Sequence, residues 1–181
     1  LIYIADSAFT PYGDIKESDI IKRALLISDF LVNQKKSKAI VIACNTATAF
    51  AVNVLRDRFN IPIIGMEPAV KPALKVTLNK LVGVLATSGT SKSAKFSALL
   101  ERYSGDVKFF VQPCPGLVNA IERGNFDDAE LFELLEKYLA NFKKNNVDTI
   151  VLGCTHFVYI KHLVKKIMGT DIKIVDMSEA V

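Results

Sequence analysis

Short apolar, β-branched runs alternate along this chain with longer segments in which apolar residues recur every three or four positions. Runs of the first kind predict buried parallel strands, and segments of the second kind predict amphipathic helices. The predicted strands are Leu1–Ala5, Ala39–Ala43, Pro62–Ile64, Leu81–Ala86, Val107–Val111, Thr149–Leu152 and Lys173–Val175. Strands that alternate with helices in this way predict an α/β fold with parallel sheets flanked by helices.

Capping patterns predict where two of the helices begin. Asp14 followed by Glu17, and Asp127 followed by Glu130, both have the spacing of a capping box. The predicted helices cover 14–33, 45–59, 69–77, the segment from the TSGTSKS turn to 103, 117–123, 127–145 and 157–168.

One arrangement of elements occurs twice. AIVIACNT at Ala39–Thr46 and TIVLGCTH at Thr149–His156 each place a cysteine directly after a predicted strand, about 110 residues apart. Two similar lobes explain this recurrence better than one continuous sheet. The segment Met66–Pro72, with its two prolines, is the predicted hinge.

Composition and charge exclude several classes of protein. Half of the residues are hydrophobic and 23% are charged, which is ordinary for a globular protein. The net charge is only +4, and the lysines lie at helix ends or on helix faces without interleaved aromatic residues, so a nucleic-acid partner is not favoured. No apolar run approaches the roughly 20 residues of a membrane span, and no signal peptide begins at Leu1. We therefore expect a cytoplasmic protein without a membrane partner.

The three cysteines are the candidate reactive groups. An odd number at wide spacing does not predict a disulfide framework, and no CxxC or HxxxH pair indicates a metal site. Cys44 and Cys154 are predicted at carboxyl ends of strands, where open α/β sheets bind ligands. A helix N-terminus there is expected to lower a thiol pKa from about 8.5 toward neutrality. Free cysteines are often only small buried hydrophobes, and that interpretation is preferred for Cys114, between two prolines.

Polar residues beside the two thiols indicate the ligand class. Neutral hydrogen-bonding side chains at helix N-termini suit a small carboxylate, and the absence of GxGxxG and GxxxxGK[ST] argues against a nucleotide. These side chains are Asn45, Thr46, Thr87, Thr90 and Thr155. Asp6 at a strand end and His156 beside Cys154 are candidate proton-transfer partners, whereas Glu122 alone reads as a surface residue. No lysine occupies these strand ends, which argues against a Schiff-base cofactor.

Taken together, the motifs resemble those of the glutamate racemase family within the Asp/Glu racemase superfamily. The resemblance rests on PYG, ACNTA, ATSGTSKS, GCTH and VDMSEAV, which cover essentially the whole chain in the right order. It implies two Rossmann-like lobes with the active site in the cleft between them. The first lobe would comprise residues 1–66 with 176–181 returning to it, and the second residues 67–175.

The resemblance also implies a reaction, a cofactor-independent proton transfer between L- and D-glutamate that supplies D-glutamate for peptidoglycan. Cys44 would deprotonate D-glutamate and Cys154 would deprotonate L-glutamate. The positions matching assisting groups are Asp6, Glu122 and His156. The positions matching substrate-binding groups are Tyr12, Gly13, Asn45, Thr46, Thr87, Thr90, Thr155 and His156. The resemblance further implies a homodimer.

Two departures from the family pattern stand out. The family begins with a strand ending in Asp-Ser-Gly, which this sequence lacks together with the last helix of the first lobe, so we expect a fragment without one wall beside Cys44. Phe157–Val158 replaces the usual Phe-Pro. The alternatives left open are an aspartate or other amino-acid racemase of the superfamily, and a non-catalytic regulatory homologue that binds DNA gyrase.

Overall fold

Two parallel sheets organise the molecule, which is described here from a computed structural model covering residues 1–177. The strands are β1 (Ile40–Ile42), β2 (Ile63–Gly65), β3 (Leu81–Ala86), β4 (Lys108–Pro113), β5 (Thr149–Leu152) and β6 (Lys173–Val175). β1 pairs with β2 in a small sheet, and the larger sheet has the order β4-β3-β5-β6. All pairings are parallel, which confirms the predicted α/β class. The predicted return of the chain end to the first lobe falls largely on residues 178–181, outside the described residues.

Helices connect the strands. They are α1 (Glu17–Asp29), α2 (Asn45–Arg58), α3 (Val70–Val76), α4 (Ser88–Lys92), α5 (Ala94–Ser104), α6 (Leu117–Glu122), α7 (Ala129–Lys144) and α8 (Lys161–Met168). Short 3₁₀ segments occur at Ser7–Phe9, Tyr12–Asp14 and Thr155–Ile160, and a π-helical turn occurs at Phe30–Gln34. None of the helices within residues 1–177 is long and apolar enough to cross a membrane.

The larger sheet is buried on both faces, as parallel sheets are. Val82 and Val84 of β3 pack with α3 and α5 on one face. Leu85 of the same strand and Leu152 of β5 pack with α6, α7 and α8 on the other. This rigid double-sided core holds the carboxyl ends of β3 and β5 at one edge, where the polar residues gather.

One predicted strand is wrong. Leu1–Ala5 forms no ladder with any strand of the described chain, and Leu1, Ile2 and Tyr3 are exposed. A strand needs a neighbouring backbone to satisfy its N–H and C=O groups, and an apolar run alone does not specify that neighbour.

Both predicted capping boxes need correction. α1 begins at Glu17 after Lys16 and has no side-chain cap, because Asp14 belongs to the preceding 3₁₀ turn. α7 is capped by Asp128 instead of Asp127, since Asp128 accepts a hydrogen bond from the Glu130 amide. The helix predicted over 157–168 is divided between a 3₁₀ turn and α8. Other element ends agree with the predictions to within a few residues.

Candidate active site

Two cysteines cap the segments that follow β1 and β5. Cys44 is the N-cap of α2, and its sulfur lies 3.5 Å from the donating amide of Ala47. Cys154 is the N-cap of the 3₁₀ segment Thr155–Ile160 and is 7% exposed. The predicted placement of both thiols after strand ends is confirmed, and both line one cavity.

The environment of the thiols differs from the one expected from helix N-termini alone. Burial raises the pKa of the Cys44 thiol above its usual range, although the amides of Ala47 and Thr46 oppose that shift. Burial also raises the pKa of Cys154 to about 12, and the nearby charge of Cys44 contributes to the same rise. The expectation of thiols poised near neutrality is therefore wrong for the protein without substrate. Both thiols line the same cavity, and the Cys154 pKa responds to the charge of Cys44.

A histidine and a glutamate extend from Cys154. Nδ1 of His156 lies 3.8 Å from the Cys154 sulfur, and Nε2 lies 2.6 Å from Oε1 of Glu122. Glu122 comes from the end of α6, 34 residues earlier. The fold therefore brings the expected assisting pair Glu122 and His156 to the thiol of Cys154, although the sequence around Glu122 alone predicts a surface residue.

Three buried hydroxyls form a triangle between the sheets. Thr46 Oγ1 lies 2.9 Å from Thr87 Oγ1 and 3.0 Å from Thr90 Oγ1, and Thr87 donates to Thr90 at 3.0 Å. Thr46 is the second residue of α2, whereas Thr87 caps α4 and Thr90 lies within α4. Thr46 and Thr87 line the cavity, but Thr90 is 1% exposed and lies behind them in the described chain. In this arrangement Thr90 affects a ligand only indirectly, through its hydrogen bonds to Thr46 and Thr87.

Asn45, the residue after Cys44, is almost fully buried at 4% exposure. Its Nδ2 donates to the carbonyl of Gly153 at 2.8 Å. Its Oδ1 is buried without a hydrogen-bond partner in the described residues. Because an unsatisfied buried acceptor is costly, this oxygen is a candidate contact for a ligand N–H group.

Asp6 and Tyr12 organise the loop that precedes α1. The Tyr12 hydroxyl donates to Asp6 at 2.5 Å, and Arg23 donates to both carboxylate oxygens at 2.9 and 2.6 Å. The hydrogen bond from Arg23 lowers the pKa of Asp6, and that from Tyr12 acts in the same direction. Asp6 is consequently an ionised anchor for Tyr12.

Gly13, next to Tyr12, brings this loop against the second sheet. A Cβ built on Gly13 would lie 2.6 Å from the Cβ of Thr87, so the close approach requires glycine.

These groups surround a cavity of about 820 Å³. Its lining includes the sequence-predicted residues Asp6, Tyr12, Gly13, Cys44, Asn45, Thr46, Thr87, Glu122, Cys154, Thr155 and His156. Lys35 and Lys38 also line the cavity. Both lysines come before the first residue of β1, whereas Cys44 and Cys154 come after the last residues of β1 and β5. Within residues 1–177, no group of three or more His, Cys, Asp or Glu side chains is arranged to hold a metal ion.

Sequence reasoning missed two contributors to the site. Arg23 lies on α1, 17 residues from Asp6, and nothing in the local pattern distinguishes it from other helix-surface cations. Gly153 contributes a backbone carbonyl, and a motif of side chains does not predict such a contact. The GCTH motif nonetheless contains a signal, because glycine allows the close backbone approach that Gly153 makes to Leu85.

A sequence profile of the Asp/Glu/Hydantoin racemase family matches residues 1–181. The chain belongs to the Asp/Glu/Hydantoin racemase family. It is 48% identical over 182 residues to a glutamate racemase of Pseudomonas paraeruginosa, in an alignment covering 100% of this chain and 68% of that protein. The expected family membership is thereby confirmed, and the relatives named here are amino-acid racemases, which are isomerases.

Solved structures of this racemase family share the fold. A glutamate racemase isoform of Bacillus anthracis superposes with a TM-score of 0.86 at 32% identity, covering 98% of this chain and 66% of that one. Escherichia coli glutamate racemase, solved with L-glutamate and the activator UDP-MurNAc-Ala, gives 0.85 at 29% identity, covering 97% and 66%. The two-lobe α/β expectation is confirmed. The chain spans about two thirds of the length of these relatives.

Proposed function

We propose that the protein of which this chain is part interconverts L- and D-glutamate by proton transfer between two cysteines, without an organic cofactor. The observation that supports this most directly is the pair Cys44 and Cys154. They end strands of different sheets, line one cavity and interact through their charges. Racemisation needs one base and one acid on opposite faces of one carbon, and two facing thiols supply both.

The proton transfer balances between the two sulfurs. In the L-to-D direction the Cys154 thiolate takes the proton from Cα, while the Cys44 thiol gives its S–H proton to the opposite face. The product leaves Cys154 as a thiol and Cys44 as a thiolate. The D-to-L direction reverses these roles, and proton exchange with water resets the pair between turnovers.

The polar groups of the cavity suggest how glutamate is held. The hydroxyl of Thr46 in the first turn of α2, paired with that of Thr87, suits a carboxylate, since free amides at a helix N-terminus attract anions. The unsatisfied Oδ1 of Asn45 suits the substrate ammonium group. Tyr12, Gly13 and Thr155 complete the proposed substrate contacts, and Thr90 supports the two other threonines from behind.

Because the pKa values of both thiols are raised, neighbouring groups are needed to favour the thiolate and to move its proton. A substrate ammonium brought next to the thiols favours the thiolate, because an opposite charge stabilises the ionised form. His156, held by Glu122, is the proposed proton relay for Cys154. Asp6 assists indirectly by fixing Tyr12.

The lysine positions support chemistry without a Schiff base. Lys38 precedes Cys44 by six residues, mostly in the extended conformation of β1. At about 3.3 Å per residue, this separation spans roughly 20 Å, too far for the lysine to form an imine at a carbon between the thiols.

Several broader expectations belong with this proposal. We place the cleft between lobes of residues 1–66 and 67–175, with 176–181 returning to the first. We propose a homodimer, which sedimentation velocity on the full-length protein tests, and a cytoplasmic role in supplying D-glutamate for peptidoglycan.

The experiment that tests the function is hydrogen exchange during turnover. The full-length protein is incubated with L-glutamate in D₂O, and NMR follows the Cα–H signal while a chiral assay follows D-glutamate. We expect exchange coupled to racemisation, abolished by Cys44→Ala and by Cys154→Ala. Cys114→Ala is the matched control, because Cys114 is buried outside the cavity lining and donates only to the Gln112 carbonyl.

Each alternative predicts a different result. Aspartate exchanging faster than glutamate would indicate an aspartate racemase. No exchange with either amino acid would indicate a binding or regulatory protein. Normal racemisation in either Cys44→Ala or Cys154→Ala would refute the two-cysteine assignment.

A further inference from the structure

One hydrogen bond connects the immediate neighbours of the two reactive cysteines. Asn45 follows Cys44, Gly153 precedes Cys154, and Asn45 Nδ2 donates to the Gly153 carbonyl at 2.8 Å across 108 positions of sequence. A carbonyl oxygen only accepts hydrogen bonds, so the amide orientation is determined: Nδ2 faces Gly153, and Oδ1 faces away.

Both ends of this bond are rigid. The Gly153 amide donates to the Leu85 carbonyl of β3 at 2.7 Å. A Cβ at Gly153 would lie 2.6 Å from that same oxygen, so the backbone immediately after β5 packs directly against β3. Asn45 is the first residue of α2, whose Ala51, Val52 and Leu55 are buried in the core of the smaller sheet. The bond therefore connects two packed bodies instead of two flexible loops.

We propose that Asn45 is a positioning residue that sets the separation of the Cys44 and Cys154 thiols through its bond to Gly153. The proposal rests on the two-cysteine function above. Proton transfer from opposite faces needs both sulfurs within about 3–3.5 Å of their target, and a displacement of about 1 Å can cost roughly 100-fold in rate. A single short bond one residue from each cysteine controls that distance directly.

The oxygen of the same Asn45 amide links the distance between the thiols to substrate binding. Among residues 1–177, Asn45 Oδ1 has no hydrogen-bond partner although it is buried, and a bound ammonium group satisfies it. Because the amide is planar, the bond to Gly153 aims Oδ1 into position. One rigid amide of Asn45 consequently binds the substrate's ammonium group through Oδ1 and sets the distance between the thiols through Nδ2.

The variant that separates these two tasks is Asn45→Asp. Aspartate keeps the shape and the acceptor that faces the substrate but loses the Nδ2 donor, and it places a second oxygen against the Gly153 carbonyl. At pH 8 in the full-length protein, we expect KM for glutamate to stay within a few-fold of wild type, while kcat falls about 100-fold.

Deuterium labelling distinguishes misplaced thiols from a weakened fold. In wild type, the proton removed on one face is replaced from the other, so solvent deuterium enters the product. With the spacing lost, the thiol that took the proton exchanges it for deuterium with the solvent and then returns deuterium to the same face. Asn45→Asp should therefore release deuterated L-glutamate, raising the ratio of exchange to racemisation.

The matched control is Thr48→Val. Thr48 lies on the same helix, is 3% exposed, and bonds only within the first lobe, to the Ile42 carbonyl and the Met66 amide. It lies outside the cavity lining. This variant should lower the melting temperature without changing the exchange ratio.

A measurement without substrate completes the test. Dibromobimane fluoresces when it links two nearby thiols, and monobromobimane labels single thiols. Asn45→Asp should lose most of the cross-link between Cys44 and Cys154 that wild type forms, while single labelling stays equal. Cys44→Ala and Cys154→Ala define the background.

Three results are decisive. Unchanged kcat and exchange ratio in Asn45→Asp would overturn the spacer role. A lower melting temperature with an unchanged exchange ratio and cross-link would also overturn it, in favour of a merely structural residue. Wild-type protein that cross-links but never racemises would refute the proposed function alone, and the cross-link comparison would still decide the spacer.

Discussion

Glu122 Oε1 lies 2.6 Å from Nε2 of His156. This contact assigns a tautomer to the neutral ring, because the carboxylate accepts from Nε2–H and leaves the Nδ1 lone pair facing Cys154, 3.8 Å away. Glu122 therefore orients a proton acceptor beside Cys154, the thiol that is the base in the L-to-D direction of the proposed reaction.

The first prediction follows from that asymmetry. Glu122→Gln removes the charge and permits either amide atom to face Nε2, so the tautomer is no longer enforced. We expect kcat from L to D to fall at least about tenfold, within the roughly 10²–10⁴-fold that a positioned acid–base group contributes. The D-to-L kcat should fall less, with a compensating change in KM, because kcat/KM is the same in both directions when the equilibrium constant is one. Initial rates in both directions, measured by circular dichroism, check this.

Glu130→Gln is the control for Glu122→Gln. Glu130 is an exposed acid that bonds Arg123 at 3.0 Å, and its side chain is 72% exposed. Its loss should leave both rates unchanged. An unchanged L-to-D kcat in Glu122→Gln would show that the acid does not act through Cys154.

The second prediction concerns pH. Burial raises the pKa of both cleft thiols, so at neutral pH the thiolate fraction is smaller than that of a free cysteine. Each pH unit below the pKa multiplies the thiolate fraction by about ten. Iodoacetamide modification of substrate-free Cys114→Ala protein should therefore rise with a slope near one in log rate from pH 7 to 9.

Ionisation of one thiol disfavours ionisation of the other, so a second ionisation should appear only above this range. A modification rate that is flat between pH 6 and 9 would mean that one thiol is already ionised at neutrality. That result would restore the helix N-terminus as the dominant influence on the thiol pKa.

The third prediction concerns the ion pair of Asp6 and Arg23. The guanidinium binds both carboxylate oxygens and lies 4.1 Å from the centre of the Phe9 ring. Arg23→Met should free the loop containing Tyr12, raising KM several-fold with a smaller change in kcat.

The same ion pair has a pH signature. Because the folded pKa of Asp6 is lowered, its stabilisation is present above the unfolded value of about 3.9 and is lost as pH falls below it. The difference in melting temperature between wild type and Arg23→Met should therefore shrink from pH 6 to pH 3. A difference that does not change with pH would point to lost packing on Phe9.

The fourth prediction tests packing beneath β3. A Cβ at Gly83 would lie 2.7 Å from the Phe142 ring of α7. Gly83→Ala should lower the free energy of unfolding by about 1–3 kcal/mol through overpacking. Urea denaturation of Gly83→Ala, Phe142→Leu and the double variant measures the coupling. Leucine at position 142 is smaller than phenylalanine and should relieve the clash, so the double variant should lose less stability than the sum of the two single variants. Strictly additive losses would contradict the contact.

Local sequence determined much of the fold. β3, β5 and β6 run over the residues predicted for them, because a short β-branched run between turn residues encodes a buried parallel strand without reference to its neighbours. The same local logic located Cys44 and Cys154 after strands, since the residue that follows a strand and precedes a helix is identifiable from its flanks. Their motifs were specific enough to indicate the family.

Only the tertiary structure decided what depends on neighbours distant in sequence. Leu1–Ala5 is not a strand in the described chain, because pairing requires an adjacent backbone. The thiol pKa values rise, because desolvation is a property of the assembled cleft and outweighs the helix N-terminus. The bond from Asn45 to the Gly153 carbonyl joins a side chain to a backbone group 108 residues away. Sequence located the two cysteines, and packing determined how close they lie and how readily they ionise.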